Sequence, residues 1–158
     1  GFTGVRLGWT IVPFGLESDN AETGTIHRLW NRRQCTYFNG ASNISQAGGL
    51  MALSEEGRKE CRTLVDYYLG NAAIIKEGLE KAGLVCYGGV NSPYVWAKAP
   101  RGMGSWEFFD FLLEKAHVVV TPGEGFGKSG EGYVRVSSYG HREDVEKAVK
   151  AIVEHIND

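Results

Sequence analysis

The sequence is poor in several features that would point to particular classes. It has three cysteines, Cys35, Cys61 and Cys86, an odd and widely spaced set with no C-x-x-C pair. This excludes a disulfide framework and reads as free thiols of a reducing compartment, each expected as a small buried hydrophobe. Histidines 27, 117, 141 and 155 share no ligand-like spacing with those cysteines, so no metal site is expected. Net charge is only −2, which gives no field for nucleic acid or an anionic membrane. No apolar run approaches the roughly 20 residues of a membrane span. The opening residues lack the pattern of a secretory leader. There is no internal repeat and no low-complexity tract. What remains is 158 residues, 42% hydrophobic and 23% charged, enough for one real core or for a piece of a larger domain.

Glycine, by contrast, is abundant near the end, at positions 123, 125, 127, 130 and 132. The triplet Gly127-Lys128-Ser129 suggests a phosphate loop, but such a loop needs glycine five residues earlier, and Pro122 stands there. Gly125, Gly127 and Gly130 fit G-x-G-x-x-G, yet a dinucleotide site requires a helix directly afterwards. The residues that follow, Tyr133 to Ser137, alternate as a strand does. Both nucleotide readings fail on context. The loop joins two strands, and the second carries Arg135.

Along the chain, residues Val5 to Val12 read as an apolar strand ended by Pro13, followed by a polar loop over 14–25. Ile26 to Arg33 reads as a helix whose basic residues, His27, Arg28, Arg32 and Arg33, form a solvated face. Asn39-Gly40 is a turn, with Ser42 and Asn43 as caps or local backbone partners of a helix reaching Leu53. Ser54 caps a long helix, with Glu55 and Glu56 at its positive end. Apolar residues recur every three or four positions to about Lys81, and Gly83 stops it. Strands follow at Leu84–Tyr87 and Tyr94–Lys98. Ser105 is expected to cap a helix with Trp106, Phe109, Leu112 and Leu113 as its apolar face. Then come strands at Val118–Thr121 and Tyr133–Ser137. A closing helix spans Glu143 to Ile156, with His141 and Arg142 at its start. The order from 84 is β-β-α-β-β-α, an α+β unit with helices on one face of a small sheet. One strand and two helices before residue 54 cannot bury themselves, so the chain reads as a fragment of a longer protein.

Two motifs now read together. "GFTGVRLGWTIVP" at 1–13 and "PGEGFGKSGEGYVRVSSYGHRE" at 122–143 resemble the class I/II aminotransferases, fold-type I enzymes that use pyridoxal 5′-phosphate. "FNGASNISQAG" at 38–48, "NSPYVWAK" at 91–98 and "GHRE" resemble the LL-diaminopimelate branch. The resemblance covers essentially the whole chain. It implies a mixed α/β and α+β fold: residues 1–53 as the end of the large cofactor-binding domain, 54–83 as a long interdomain helix, and 84–158 as the small α+β domain. In the family pattern the Schiff-base lysine lies eight residues before the arginine matching Arg6, which falls upstream of Gly1. None of lysines 59, 76, 81, 98, 115, 128, 147 and 150 lies in a Ser-x-x-Lys context. No catalytic residue is therefore expected in this chain, which alone should be inactive.

The resemblance assigns roles residue by residue. Arg6 is implied as a ligand of the cofactor phosphate, since a guanidinium offers a dianion a planar fork of donors. Arg135 is implied as the clamp on the substrate α-carboxylate. An arginine in a half-buried strand costs desolvation unless an anion meets it. The glycines before it are expected to form a mobile, side-chain-poor hairpin that lets the small domain close on substrate. Asn39 is implied to reach across a homodimer interface toward the neighbouring subunit's substrate. Lys128 reads as a solvated loop lysine, and Tyr94 and Trp96 as small-domain core. The implied activity is transamination of LL-diaminopimelate with 2-oxoglutarate in lysine biosynthesis, in the cytoplasm or, in a plant, the plastid stroma. Two alternatives stay open: another class I aminotransferase of different specificity, and a catalytically silent aminotransferase-like domain.

Overall fold

A computed structural model of the protein describes residues 3, 4 and 6–156. Gly1, Phe2, Val5 and the last two residues, which belong to the first motif and to the end of the 84–158 segment, lie outside the described residues. The chain divides into two compact units, residues 1–62 and residues 63–158.

In the first unit, α1 (Thr25–Tyr37) runs four residues past the expected Arg33 and ends at a left-handed turn. Asn39 has φ 66° and Gly40 φ 127°, and the Asn39 N–H closes the helix on the Gln34 carbonyl at 2.9 Å. This is the turn chemistry expected of Asn-Gly. Arg28, Arg32 and Arg33 are exposed, as a solvated face requires. α2 (Asn43–Leu53) is capped by the Ser42 hydroxyl, which accepts from the Ser45 N–H at 3.2 Å. The strand expected at Val5–Val12 is not formed over residues 6–12. A strand needs a hydrogen-bonded neighbour, and among the described residues these find none. Instead Arg6 sits at φ 55° in a tight turn, its N–H on the Thr3 carbonyl at 3.3 Å. Among the described residues of this unit no large apolar side chain is buried, and Trp9, Ile11, Phe14, Leu29, Ile44 and Leu50 are exposed. The thiol of Cys35 is exposed too, contrary to expectation.

α3 (Glu55–Lys81) starts at Ser54, whose hydroxyl accepts from the Gly57 N–H at 3.0 Å. It ends as its sequence specifies. Gly83, at φ 87°, donates to Glu80 and Leu84 donates to Leu79, each at 3.0 Å, the paired bonds of a Schellman motif.

The second unit is built on four antiparallel strands in the order β1-β2-β4-β3: β1 (Cys86–Gly88), β2 (Tyr94–Lys98), β3 (Thr121–Pro122) and β4 (Tyr133–Ser137). β2 and β4 match expectation. β1 begins two residues later and β3 keeps only the last of its four expected residues. Val118 instead donates to the carbonyl of Leu112, so the chain leaving the preceding helix is bound to it rather than to the sheet. Alternation gives the sheet two faces. Val95, Ala97, Val134 and Val136 enter a core shared with Ile75 and Leu79 of α3, Phe108 and Leu112 of α4 (Ser105–Ala116), and Val145 and Ile152 of α5 (Arg142–Ile156). Each large side chain so buried contributes about 1.5–3 kcal/mol.

α4 presents a different face from the one expected. Ser105, Phe108, Leu112 and Ala116 are buried, whereas Trp106 is 57% exposed. Gly104, not Ser105, occupies the cap position. Its N–H donates to Glu107 at 3.4 Å, while the Ser105 N–H donates to Glu131 at 3.0 Å. Cys61 and Cys86 are partly buried and free. Burial, then the nearby Glu80 carboxylate, pushes the Cys86 thiol up to about 11, so it stays protonated and inert near neutrality.

Asn71 of α3 ties the segment after β4 down. Fully buried, its amide donates to the carbonyls of Ser138 at 3.0 Å and Gly140 at 2.9 Å. Replacing Asn71 with Ala strands both carbonyls. The expected loss is about 2–4 kcal/mol, read as a lower urea midpoint at unchanged slope in the complete protein. A shift under about 0.5 kcal/mol would show that the two bonds do not hold this segment.

Candidate functional site

The face of the sheet opposite the core is aromatic and carries Arg135, with Lys98 at the end of β2. Trp96 pairs directly with Arg135 across β2 and β4, and Tyr94 and Tyr133 sit two residues to either side on the same face. Trp96 stacks on Tyr133, centroids 5.7 Å apart. Tyr94 and Trp96, expected in the core, are therefore on the other side of the sheet. The reason is the period of two: Val95 and Ala97 take the core face, so their neighbours cannot.

Arg135 is half-buried between two rings. Its guanidinium carbon lies 4.3 Å from the centroid of Tyr94 and 4.6 Å from that of Phe126. Such contacts favour a cation by about 0.5–2 kcal/mol. They do not satisfy its donors: Nε is buried without a hydrogen-bond partner, and no ion pair to Arg135 forms among the described residues. A buried unsatisfied cationic donor is costly. Tyr139 continues the aromatic wall, 5.7 Å from Tyr94 and 4.8 Å from Tyr68. Burial, then its hydrogen bond with Tyr94, holds its phenol above the usual range, so it is a neutral group near pH 7.

Phe126 comes from the glycine segment that joins the antiparallel β3 and β4. It folds as two short 3-10 turns, Gly123–Phe126 and Lys128–Gly130. Gly123 and Gly130 are buried backbone against backbone, where a Cβ on either would overlap the other's carbonyl. The Ser105 hydroxyl pins the second turn, donating to Gly130 O at 3.1 Å and accepting from the Tyr133 N–H at 3.3 Å. Lys128 is exposed, as expected.

In the first unit, Arg6 and Asn39 line one open cavity of about 870 Å³, with Trp9, Thr10, Trp30 and Gln46 also in its wall. Leu7 rests on Gly49 of α2, where no Cβ fits, and this seats the Arg6 turn against the helix. Among the described residues no acidic side chain lines the cavity and Arg6 is its one cation, a donor set suited to an anionic group.

Sequence reasoning named Arg6, Asn39 and Arg135 and missed Phe126 and Ser105. The alternation of Tyr94 and Trp96 with two core residues was the available signal for the aromatic face. Nothing in the sequence signals that Phe126 folds back onto Arg135. Among the described residues no group of His, Cys, Asp or Glu is placed to hold a metal, and no helix is long and apolar enough to cross a membrane.

Residues 1–152 match the family model described as aminotransferase class I and II. The chain belongs to that family. An LL-diaminopimelate aminotransferase of Bacteroides fragilis is 51% identical over 154 residues, 96% of this chain and 38% of that protein. One from Prochlorococcus marinus is likewise 51% identical over 154 residues, 97% and 38%. Among solved structures, L,L-diaminopimelate aminotransferase from Chlamydomonas reinhardtii superposes with TM-score 0.89 at 48% identity, covering 98% of this chain and 37% of that one. An aromatic aminotransferase from Pyrococcus horikoshii gives TM-score 0.71 at 25% identity, 87% and 37%. This aminotransferase chain thus has the mixed fold of fold-type I enzymes and spans under two-fifths of the length of these relatives.

Gly125 of the first turn and Gly130 of the second should behave oppositely. Gly130→Ala meets the Gly123 backbone and should destabilise the complete protein by about 1–3 kcal/mol, the usual effect of overpacking. At Gly125 a Cβ meets nothing within 4 Å, so Gly125→Ala should stay within about 0.5 kcal/mol. Thermal unfolding of both variants checks this, and equal shifts would contradict the close approach.

Proposed function

We propose that the complete polypeptide to which this chain belongs transfers an amino group from LL-diaminopimelate to 2-oxoglutarate with pyridoxal 5′-phosphate. The carrying observation is the Arg135 guanidinium, built into a strand without an anion and with a buried, unpaired Nε. The names of the 51% identical relatives and of the Chlamydomonas structure support the substrate. Bound pyridoxal phosphate supplies an electron sink for the α-carbon chemistry, and the protein supplies position and electrostatics. Arg135 takes the substrate α-carboxylate through charge-assisted bonds to its planar edge and so fixes the α-carbon. Arg6 offers its guanidinium to the cofactor phosphate, in a cavity wall that, among the described residues, holds no carboxylate to compete for it. Tyr139, uncharged, leaves the anion attracted to Arg135 alone. Asn39 lines the same cavity as Arg6, and we assign it a polar contact to substrate across a homodimer interface. The exposed apolar side chains of residues 1–62 are assigned to burial against the rest of the large domain and the second subunit.

A second reading has one observation in its favour. The wall around Arg135 is rich in aromatic rings, and an aromatic aminotransferase superposes on the chain with TM-score 0.71. Comparing kcat/KM for LL-diaminopimelate and for aromatic donors decides between the two. Preference for an aromatic donor would move the assignment.

In the complete enzyme, Arg135→Lys should keep the fold and lose the fork. Bonds to a charged group contribute about 1.5–3 kcal/mol, so kcat/KM should fall about tenfold to two-hundredfold with cofactor affinity nearly unchanged. Arg6→Ala should instead weaken cofactor retention first. Titrations of pyridoxal phosphate and of amino acid against both variants test the assignment; cofactor loss from Arg135→Lys would mean the two arginines are interchanged.

A further inference from the structure

The contacts of Arg135 place Phe126 in an unusual position. Phe126 is 52% exposed, so it fills no core, yet its ring centroid lies 4.6 Å from the guanidinium carbon, beside that of Tyr94 at 4.3 Å. Its own edge is fixed by Trp96, centroids 5.6 Å apart at 71°. Two rings this close restrict how the guanidinium can turn and favour its charge without taking up its N–H donors, which lie along its edge. Gly125 and Gly127 flank Phe126, and the buried Gly123–Gly130 contact and the Ser105 hydroxyl anchor the turns that carry it.

We propose that Phe126 is a positioning residue for the substrate carboxylate: with Tyr94 it holds the Arg135 guanidinium edge-on, and the glycine segment exists to deliver that ring. The inference rests on Arg135 binding the carboxylate. It adds a residue that touches Arg135 rather than the reacting atoms, and it gives the glycines a purpose other than phosphate binding or a flexible hinge.

The test uses the complete enzyme loaded with its cofactor and three variants of Phe126, with Arg135→Lys beside them. Phe126→Leu and Phe126→Met keep an apolar side chain and remove the π face; Phe126→Tyr keeps it. Three quantities are read: KM and kcat for the amino donor, and the dissociation constant of glutarate, an unreactive dicarboxylate, by calorimetry. Thermal midpoints establish which variants are folded, and the Met variant carries the test if the Leu variant is not. The expected result is a rise of about two- to thirtyfold in both KM and the glutarate constant for Leu and Met, the range of a lost cation–π contact. Phe126→Tyr should stay within about twofold and kcat should change less than KM. If Leu and Met leave both constants unchanged while Arg135→Lys weakens them, Phe126 does not position the clamp and the carboxylate reading survives. If Arg135→Lys changes neither constant, that reading itself fails and this proposal with it.

Discussion

An arginine without an anion, held between two aromatic rings on a short strand, is the feature around which the second unit is arranged. Desolvating a guanidinium is costly, and the rings of Tyr94 and Phe126 offset part of that cost without consuming its hydrogen-bond donors. Its Nε stays buried and without a hydrogen-bond partner, the observation on which the proposed carboxylate site rests.

Holding the cation this way requires both faces of the sheet. Val95, Ala97, Val134 and Val136 anchor β2 and β4 to the helices, and this turns Tyr94, Trp96, Tyr133 and Arg135 outward in one row. The long α3 serves the same end through Asn71, whose amide binds the carbonyls just beyond β4. The glycine segment then folds over the outward row, because Gly123 and Gly130 let two backbones touch. The first unit has a different character: among its described residues it has a cavity lined by one cation and no large buried apolar side chain. The chain as a whole matches relatives more than twice its length.

Where local chemistry decides the structure, the sequence was readable. The limits of α3 follow from Ser54 and Gly83, the Asn39-Gly40 turn from its residue types, and β2 and β4 from alternation. Where a distant partner decides, it was not. Residues 6–12 have the composition of a strand but no neighbour to pair with. Val118 is claimed by the end of α4 instead of β3. Ser105 looks like a helix cap, yet two backbone groups of the glycine segment take its hydroxyl. Of the site, Arg6, Asn39 and Arg135 were legible through motif resemblance, whereas Phe126 depends on how the glycine segment folds back. Cys35 was expected buried from residue type alone, and residue type cannot say which helix face meets a core.

The central claim is that Arg135 is kept free for a carboxylate. A crystal structure of the complete enzyme, without substrate and then with glutarate, tests it most directly. The account predicts Arg135 unpaired in the first structure, with Phe126 and Tyr94 beside it, and a glutarate carboxylate in the plane of its guanidinium in the second. An aspartate or glutamate from elsewhere in the polypeptide salt-bridged to Arg135 in both structures, with glutarate bound at another place, would contradict it.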